Sequence, residues 1–396
     1  MTTKQIIQTA DEHVLQTYSR FQVAFVKGEG ATLYDAEGNA YIDFASGIGV
    51  NSIGYGDPDW VKAVSEQAAA LQHVSNLYYT EPMARLAEQL TARSGMSAVF
   101  FSNSGAEANE GLIKLARKYS FEKYGSHKRS TILTLTNSFH GRTIAALEAT
   151  GQEKFHGYEF FPYTGGFRYI QPGSVDVLYG PGAVGNACAI MIELVQGEGG
   201  VYPLQREYVT ALAEFCKEQD LLLLVDEVQT GIGRTGTLFA YQQYGIQPDA
   251  VSFAKGIAGG LPFGGFLVND AVRDVLRAGD HATTFGGNPV CAAAALTVLN
   301  KLNDALIADV TRKGAKIKGK IAEFGSRHVA EVRGLGLMIG IKLSGKSHRE
   351  AVSELLQAGV VALTAGSDTL RLLPPLTISD AELDRGLEIL RSVLAC

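Results

Sequence analysis

Asp249-Ala-Val-Ser-Phe-Ala-Lys255-Gly-Ile-Ala-Gly-Gly-Leu-Pro-Phe-Gly-Gly-Phe-Leu-Val268 reads as a short apolar strand, one lysine, a glycine loop and a second apolar strand. A lysine placed where a strand gives out into Gly256-Ile-Ala-Gly-Gly260 has its charge partly desolvated, and a desolvated amine is a candidate Schiff-base nucleophile. A surface lysine that merely ends a strand fits the same stretch, so the decision rests on the rest of the chain.

Upstream, the runs Ala98–Phe101, Thr131–Leu135, Ala187–Ile192, Leu221–Val225 and Ala250–Ala254 alternate with helical stretches. Continuous apolarity without period-two alternation marks strands covered on both faces, as in the parallel sheet of an α/β fold. Each run ends in polar or glycine-rich residues: Ser102 to Asn109, Asn137 to Thr143, Glu193 to Glu198, Asp226 to Gln229, and Lys255. Ligands of open α/β sheets bind outside the carboxyl ends of the strands, so these five ends are expected to share one crevice.

The flanks differ. Phe21–Val26, Ala31–Tyr34 and Tyr41–Phe44 suggest a small antiparallel sheet, followed by helices near 59–70 and 83–92. Residues 289–325 read as helical from Asn288-Pro289 to Gly325. Val332–Lys342, Val360–Leu363 and Thr369–Leu373 read as a second sheet, and Ser379-Asp-Ala-Glu382 as a capping box for the last helix. The expected division is an N-terminal segment (1–55) packing with a small α+β domain (281–396), and a large domain (56–280) with a mostly parallel sheet.

With 396 residues, 46% hydrophobic content and 45 glycines, the chain is long enough for a large core plus a smaller unit. A net charge of −6 without a long basic run argues against a nucleic-acid partner. The basic cluster from Arg312-Lys313 to Lys320 reads as a solvated helix face. Cys188, Cys216, Cys291 and Cys396 show no metal or disulfide spacing, which suits a reducing compartment and no metal. No apolar run has the length of a membrane span, so a soluble cytoplasmic protein with no membrane partner is expected.

Two strand ends make complementary chemical demands. Asp226 closes the run Leu221-Leu-Leu-Leu-Val225, and a carboxylate so placed needs a partner, either a protonated ring nitrogen or an arginine such as Arg234. Lys255 follows 29 residues later, the length of a strand–helix–strand unit. An acid for a pyridinium and an amine for an aldehyde are what pyridoxal phosphate asks of a protein. Ser104-Gly105-Ala106 before a helix offers backbone N–H groups to an anion, or is an ordinary helix cap. Thr283-Thr284 adds hydroxyls in a glycine-bounded loop, and Phe139 fits either ring stacking or core packing.

Asn103-Ser-Gly-Ala-Glu-Ala-Asn109, Phe139-His-Gly-Arg142, Gln196-Gly-Glu-Gly-Gly200, Asp226-Glu-Val-Gln-Thr-Gly231, Ala254-Lys-Gly256 and Thr284-Phe-Gly-Gly-Asn-Pro289, in this order, resemble the class III pyridoxal-phosphate aminotransferases. Val74–Pro82 and Leu115–Tyr119 are similar to the acetylornithine branch rather than the 4-aminobutyrate branch. The resemblance implies fold type I and transfer of the side-chain amino group of N2-acetylornithine to 2-oxoglutarate. Other terminal amines (ornithine, succinylornithine, 4-aminobutyrate) are the alternatives. It further implies that Lys255 carries the cofactor and shuttles the proton, and that Asp226 faces the ring nitrogen. Gln229 would bond the ring hydroxyl, Phe139 would stack on the ring, Val228 would be among the cofactor-binding residues, and Ser104, Gly105 and Ala106 would seat the phosphate. Thr284 would reach that phosphate from the second subunit of a homodimer with shared active sites. Arg142 and Arg371 would bind substrate carboxylates with Thr283 nearby, and Glu198 would pair with Arg371 while the amine donor is bound.

The sequence departs from the family pattern at Leu194, which stands where proline is usual, at Gly54-Tyr-Gly-Asp-Pro58, and at Gly49. These leave the substrate more open than the reaction, since the Gly49–Tyr55 loop is placed to shape a pocket. His140 reads as a packed core histidine. A dinucleotide-binding oxidoreductase is the competing enzyme class, but no Gly-x-Gly-x-x-Gly follows the first long strand. A non-catalytic binding protein is the remaining alternative, against which the intact Lys255 and Asp226 stand.

Overall fold

The computed structural model describes residues 1–158 and 160–395; Cys396 lies outside them. A small sheet opens the chain with β1 (Phe25–Glu29), β2 (Thr32–Asp35) and β3 (Ala40–Asp43). The large sheet takes β4 (Ala98–Ser102), β5 (Thr131–Leu135), β6 (Phe167–Ile170) and β7 (Ala187–Ile192). After a short hairpin, β8 (Val195–Gln196) and β9 (Tyr202–Pro203), the chain returns to it for β10 (Leu222–Asp226), β11 (Ala250–Phe253) and β12 (Gly264–Val268). The C-terminal part holds β13 (Val329–Leu335), β14 (Met338–Leu343), β15 (Val360–Val361), β16 (Leu363–Ala365) and β17 (Thr369–Leu372).

The large sheet runs β4-β12-β11-β10-β7-β5-β6. Residues of β5, β7, β10 and β11 are buried throughout, as their unbroken apolarity requires. All pairs are parallel except those of β12, which is antiparallel to β11 and β4. The connection 254–263 explains the reversal, because a parallel crossover needs about a dozen residues or more. The edge strand β6 carries no apolar run and was not expected from sequence. Helices Gly105–Tyr124 and Arg206–Glu218 cover the sheet with faces that bury Leu112, Leu115, Leu212 and Phe215.

Several flanking elements differ from expectation. The helical stretch after Asn288 is two helices, Pro289–Lys301 and Asp304–Glu323, bent by 73°. The break falls where the Asn303 side chain accepts from the Leu306 N–H and caps the second helix. Val360–Leu363 divides between two sheets: β15 pairs in parallel with β3, whereas β16 pairs with β17. Lys313, expected on a solvated face, is buried. Its ammonium lies 2.6 Å from Asp309 and donates to the Ile378 carbonyl, so the basic cluster has one inward-facing member. The capping box at Ser379–Glu382 is present in both directions. Among the described residues no single helix is long and apolar enough to cross a membrane.

Glu227, one residue beyond β10, is fully buried, with its carboxyl accepting from Tyr241 N at 2.8 Å and Thr230 Oγ1 at 2.6 Å. Burial raises its pKa to about 7, with those hydrogen bonds opposing. The folded protein therefore holds a proton that the unfolded chain releases near pH 4.5, so stability falls as pH rises from about 4.5 to 7 and stays lower above that. Glu227→Gln lacks this loss. Its melting temperature relative to wild type is expected to climb between pH 5 and pH 8, by up to roughly 3 kcal/mol of stability. A pH-independent difference in thermal melts contradicts the assignment.

Candidate active site

The sheet places the acid and the amine side by side. Asp226 ends β10 and is in register with Ser252 of the adjacent β11, three residues before Lys255. Lys255 has φ +43°, unusual for a residue with a Cβ, and begins a short 3-10 turn that runs into Gly259 and Gly260. Lys255, Asp226, Ser104, Gly105, Ala106, Phe139, Arg142, Val228 and Gln229 line one cavity of about 400 Å³. That volume is in the range of small-molecule pockets.

Asp226 is buried and holds its orientation through four donors. Oδ2 lies 2.8 Å from Nδ2 of Asn109 and 2.8 Å from Nδ1 of His140, while Oδ1 accepts from Val228 N at 3.0 Å and Ser252 Oγ at 3.4 Å. The acidic partner assigns the His140 proton to Nδ1. Arg234 is not its counter-ion. Arg234 donates to the carbonyls of Leu337 and Pro374, and burial pushes it down to about 9 with Asp43 as the opposing charge. His140 is thus a buried histidine, but one that orients the site acid. Together with Asn109 and Glu193 it is a cavity-lining residue that the sequence reading left out of the site. Asn109 did carry a signal, as a poor helix former among Ala108 and Gly111 on a buried helix face.

Burial also lowers the Lys255 pKa, while the charges of Glu198, Asp226 and Glu193 oppose that and Arg371 adds to it. The result is an amine with a larger neutral fraction than a surface lysine. Burial raises Glu193 to about 7, against His140 and two backbone hydrogen bonds and with Asp226 reinforcing it. Those bonds run from Phe139 N at 2.8 Å and Gly197 N at 3.3 Å, so Glu193 joins two of the loops that line the site.

The N-terminus of the twenty-residue helix Gly105–Tyr124, with Ser104 as its cap, opens onto the same cavity. Ser104 Oγ accepts from Glu107 N at 3.2 Å, and a Cβ on Gly105 would lie 2.6 Å from Val228 Cγ1. Only glycine lets the helix end approach the loop after β10. Arg142 is exposed at the cavity rim, its guanidinium 4.2 Å from the Phe155 ring centroid and 5.6 Å from that of Phe139.

Glu198, Arg371, Thr283 and Thr284 stand outside this lining. Nη1 of Arg371 donates to Oε1 of Glu198 at 2.6 Å and to Oε1 of Gln229 at 3.1 Å, so the pair sits one hydrogen bond behind the wall. Burial raises the Glu198 carboxyl, but the charge and hydrogen bond of Arg371, helped by Lys255 and Gln229, outweigh it and hold the pKa below the usual value. Thr283 Oγ1 accepts from Nδ2 of Asn103, itself a lining residue, at 3.2 Å, and Thr284 is exposed. From the 49–55 loop only Val50 reaches the cavity. Tyr55 instead donates to Asp43 at 2.7 Å.

The sequence model for aminotransferase class III matches residues 14–394. An acetylornithine aminotransferase of Haemophilus ducreyi is 51% identical over 396 residues, covering 100% of both chains. The solved N-acetylornithine aminotransferase of Stenotrophomonas maltophilia K279a superposes with a TM-score of 0.84 at 36% identity, covering 98% of each chain. An ornithine aminotransferase of Toxoplasma gondii, solved with partial occupancy of PLP at its active site, gives 0.94 at 29% identity, covering 99% of this chain and 94% of its own. A lysine and an acid at adjacent strand ends, a helix N-terminus lining the same cavity and a match along nearly the whole length agree: the chain belongs to the class III aminotransferases, enzymes of fold type I.

Proposed function

We propose that this aminotransferase moves the side-chain amino group of N2-acetyl-L-ornithine to 2-oxoglutarate, giving N-acetylglutamate 5-semialdehyde and L-glutamate, a step of arginine biosynthesis. The observation that carries the reading is the Arg371–Glu198 pair at 2.6 Å beside the cavity. The two half-reactions place an uncharged substrate end and then a second carboxylate in one pocket. A cation masked by a movable carboxylate serves both.

The residues fit pyridoxal phosphate, the cofactor of this family. Bound there, it would supply an aldehyde to the substrate amine and an electron-withdrawing ring for the carbon that bears it. Lys255, with its lowered pKa, would be the covalent attachment point and then the base that takes the proton from the amine-bearing carbon and the acid that returns it in the 1,3-proton shift. Asp226, fixed by Asn109 and His140, presents a carboxylate to the ring nitrogen. Ser104, Gly105 and Ala106 receive the phosphate at the helix N-terminus. Phe139, Val228 and Gln229, which line the same cavity, would hold the ring, with Gln229 bonding its hydroxyl. Arg142 and Arg371 hold substrate carboxylates near Thr283.

Leu77, Tyr79 and Phe285 expose large apolar side chains on two segments that Asn76 joins through the carbonyls of Thr283 and Gly286, on either side of Thr284, which suits contact with a second copy of the chain. In such a homodimer Thr284 reaches the partner's phosphate seat. The free Cys188, Cys216 and Cys291 suit the cytoplasm.

Single half-reactions with a panel of terminal amines test the substrate. N2-acetylornithine is expected to react with the highest kcat/KM. An equal or higher value for 4-aminobutyrate, ornithine or succinylornithine would replace it.

A further inference from the structure

The backbone that carries Glu198 is held carbonyl by carbonyl. Gly366 N donates to the Glu198 carbonyl at 2.8 Å, and Nδ2 of Asn137 donates to that of Gly199 at 2.9 Å. Arg333 takes the next two. Its Nε and Nη2 reach the Gly200 carbonyl at 3.0 and 2.7 Å, and Nε reaches that of Val201 at 3.2 Å. The guanidinium lies 3.7 Å from the Tyr202 ring centroid, and Nη2 also donates to Thr369 Oγ1 at 2.8 Å. Arg333 is buried, so this fork of donors is not a surface accident.

Its place in the sheet links it to Arg371. Arg333 on β13 is in register with Gly340 on β14, and Gly340 with Arg371 on β17. Residues directly opposite one another present side chains on the same face. One row therefore reads arginine, glycine, arginine, and the 198–201 loop lies across it. A Cβ on Gly340 would meet Val201 Cβ at 2.8 Å and the Gly200 carbonyl at 3.1 Å. Without a side chain there, the loop settles between the arginines, one gripping its backbone and the other its Glu198 carboxylate.

We infer that Arg333 and Gly340 are specificity-positioning residues: they fix the 198–201 backbone so that only the Glu198 side chain moves, and so set how firmly Arg371 is masked. The inference rests on the reading of Glu198 and Arg371 given above. A fixed backbone leaves the carboxylate little entropy to lose in closing on Arg371, which favours substrates with an uncharged end. A loosened backbone weakens the mask, so dicarboxylates displace Glu198 more easily while the terminal-amine donor meets a bare cation.

Arg333→Gln and Gly340→Ala, prepared as holoenzyme, test this with two readouts: the KM and kcat of the amine-donor half-reaction, and the Kd of glutarate by calorimetry. Both variants are expected to raise the donor KM by roughly fivefold and tighten glutarate by roughly fivefold, the lower end of coupling between linked sites, with kcat within about twofold. Arg333→Lys, which keeps the charge but not the fork, is expected to fall between Arg333→Gln and wild type. A merely structural role weakens both ligands together and overturns the inference, as does no change in either. Glu198→Gln is the control. If it fails to move the two constants in opposite directions, the reading of the Glu198–Arg371 pair is wrong. If it does so and neither Arg333→Gln nor Gly340→Ala does, that reading stands and the inference alone fails. Gly340→Ala carries the test where Arg333→Gln does not fold, because it leaves both arginines in place.

Discussion

Lys255→Ala is expected to lower turnover by at least roughly a thousandfold, within the 10²–10⁴ range of positioned acid–base catalysis before the lost covalent attachment is counted. Geometry and environment drive the expectation. The amine begins a strained turn at φ +43°, its charge disfavoured by burial, just beyond the strand next to the one that ends in Asp226. Any other lysine that took over would need the same neighbours, and Lys255 is the lysine that lines the cavity. Alanine keeps the Cβ and so the same turn at φ +43°, but it removes a buried amine, so the variant is expected to fold. A kcat for both half-reactions within tenfold of wild type contradicts the mechanism even where the cofactor binds.

Asp226→Asn is expected to cost about 10²–10³ in kcat, the scale on which removing one preorganised electrostatic partner acts. The amide keeps one oxygen but turns an N–H₂ toward groups that are already donors: Asn109 Nδ2, His140 Nδ1 or Val228 N. One buried donor is left facing another, so a stability loss of roughly 1–3 kcal/mol should accompany the kinetic one. The variant should still take up cofactor, since Lys255 and the Ser104–Ala106 seat are untouched. Steady-state kinetics and thermal melts check both effects. Turnover within a factor of ten of wild type would remove Asp226 from its role.

How much of this was legible depended on where each residue's partners lie in the chain. Five of the large-sheet strands, β4, β5, β7, β10 and β11, announce themselves by unbroken apolar runs, which burial on both faces demands of the last four, and their polar ends follow from the same pattern. The reversal of β12 depends on the length of its connection, which apolarity does not encode. Edge strand β6 mixes Arg168 and Tyr169 with apolar neighbours, and the helix break at Asn303 lacks a glycine or proline. Within the site, Lys255 and Asp226 were readable because each conflicts with its local surroundings. His140 was not, because a buried histidine is ordinary until the carboxylate 2.8 Å away is known. Arg333 looks like any strand arginine. Its burial comes from Gly200 to Tyr202, more than a hundred positions earlier in the chain, and no local pattern reports that.

Lys255 is proposed as the residue to which the cofactor is joined. Borohydride treatment of the purified protein, followed by proteolysis and mass spectrometry, tests it most directly. One pyridoxyl mass addition is expected, on the peptide that bears Lys255, absent after prior exposure to the amine donor. An addition on a different lysine, or none from protein that holds pyridoxal phosphate, would contradict it.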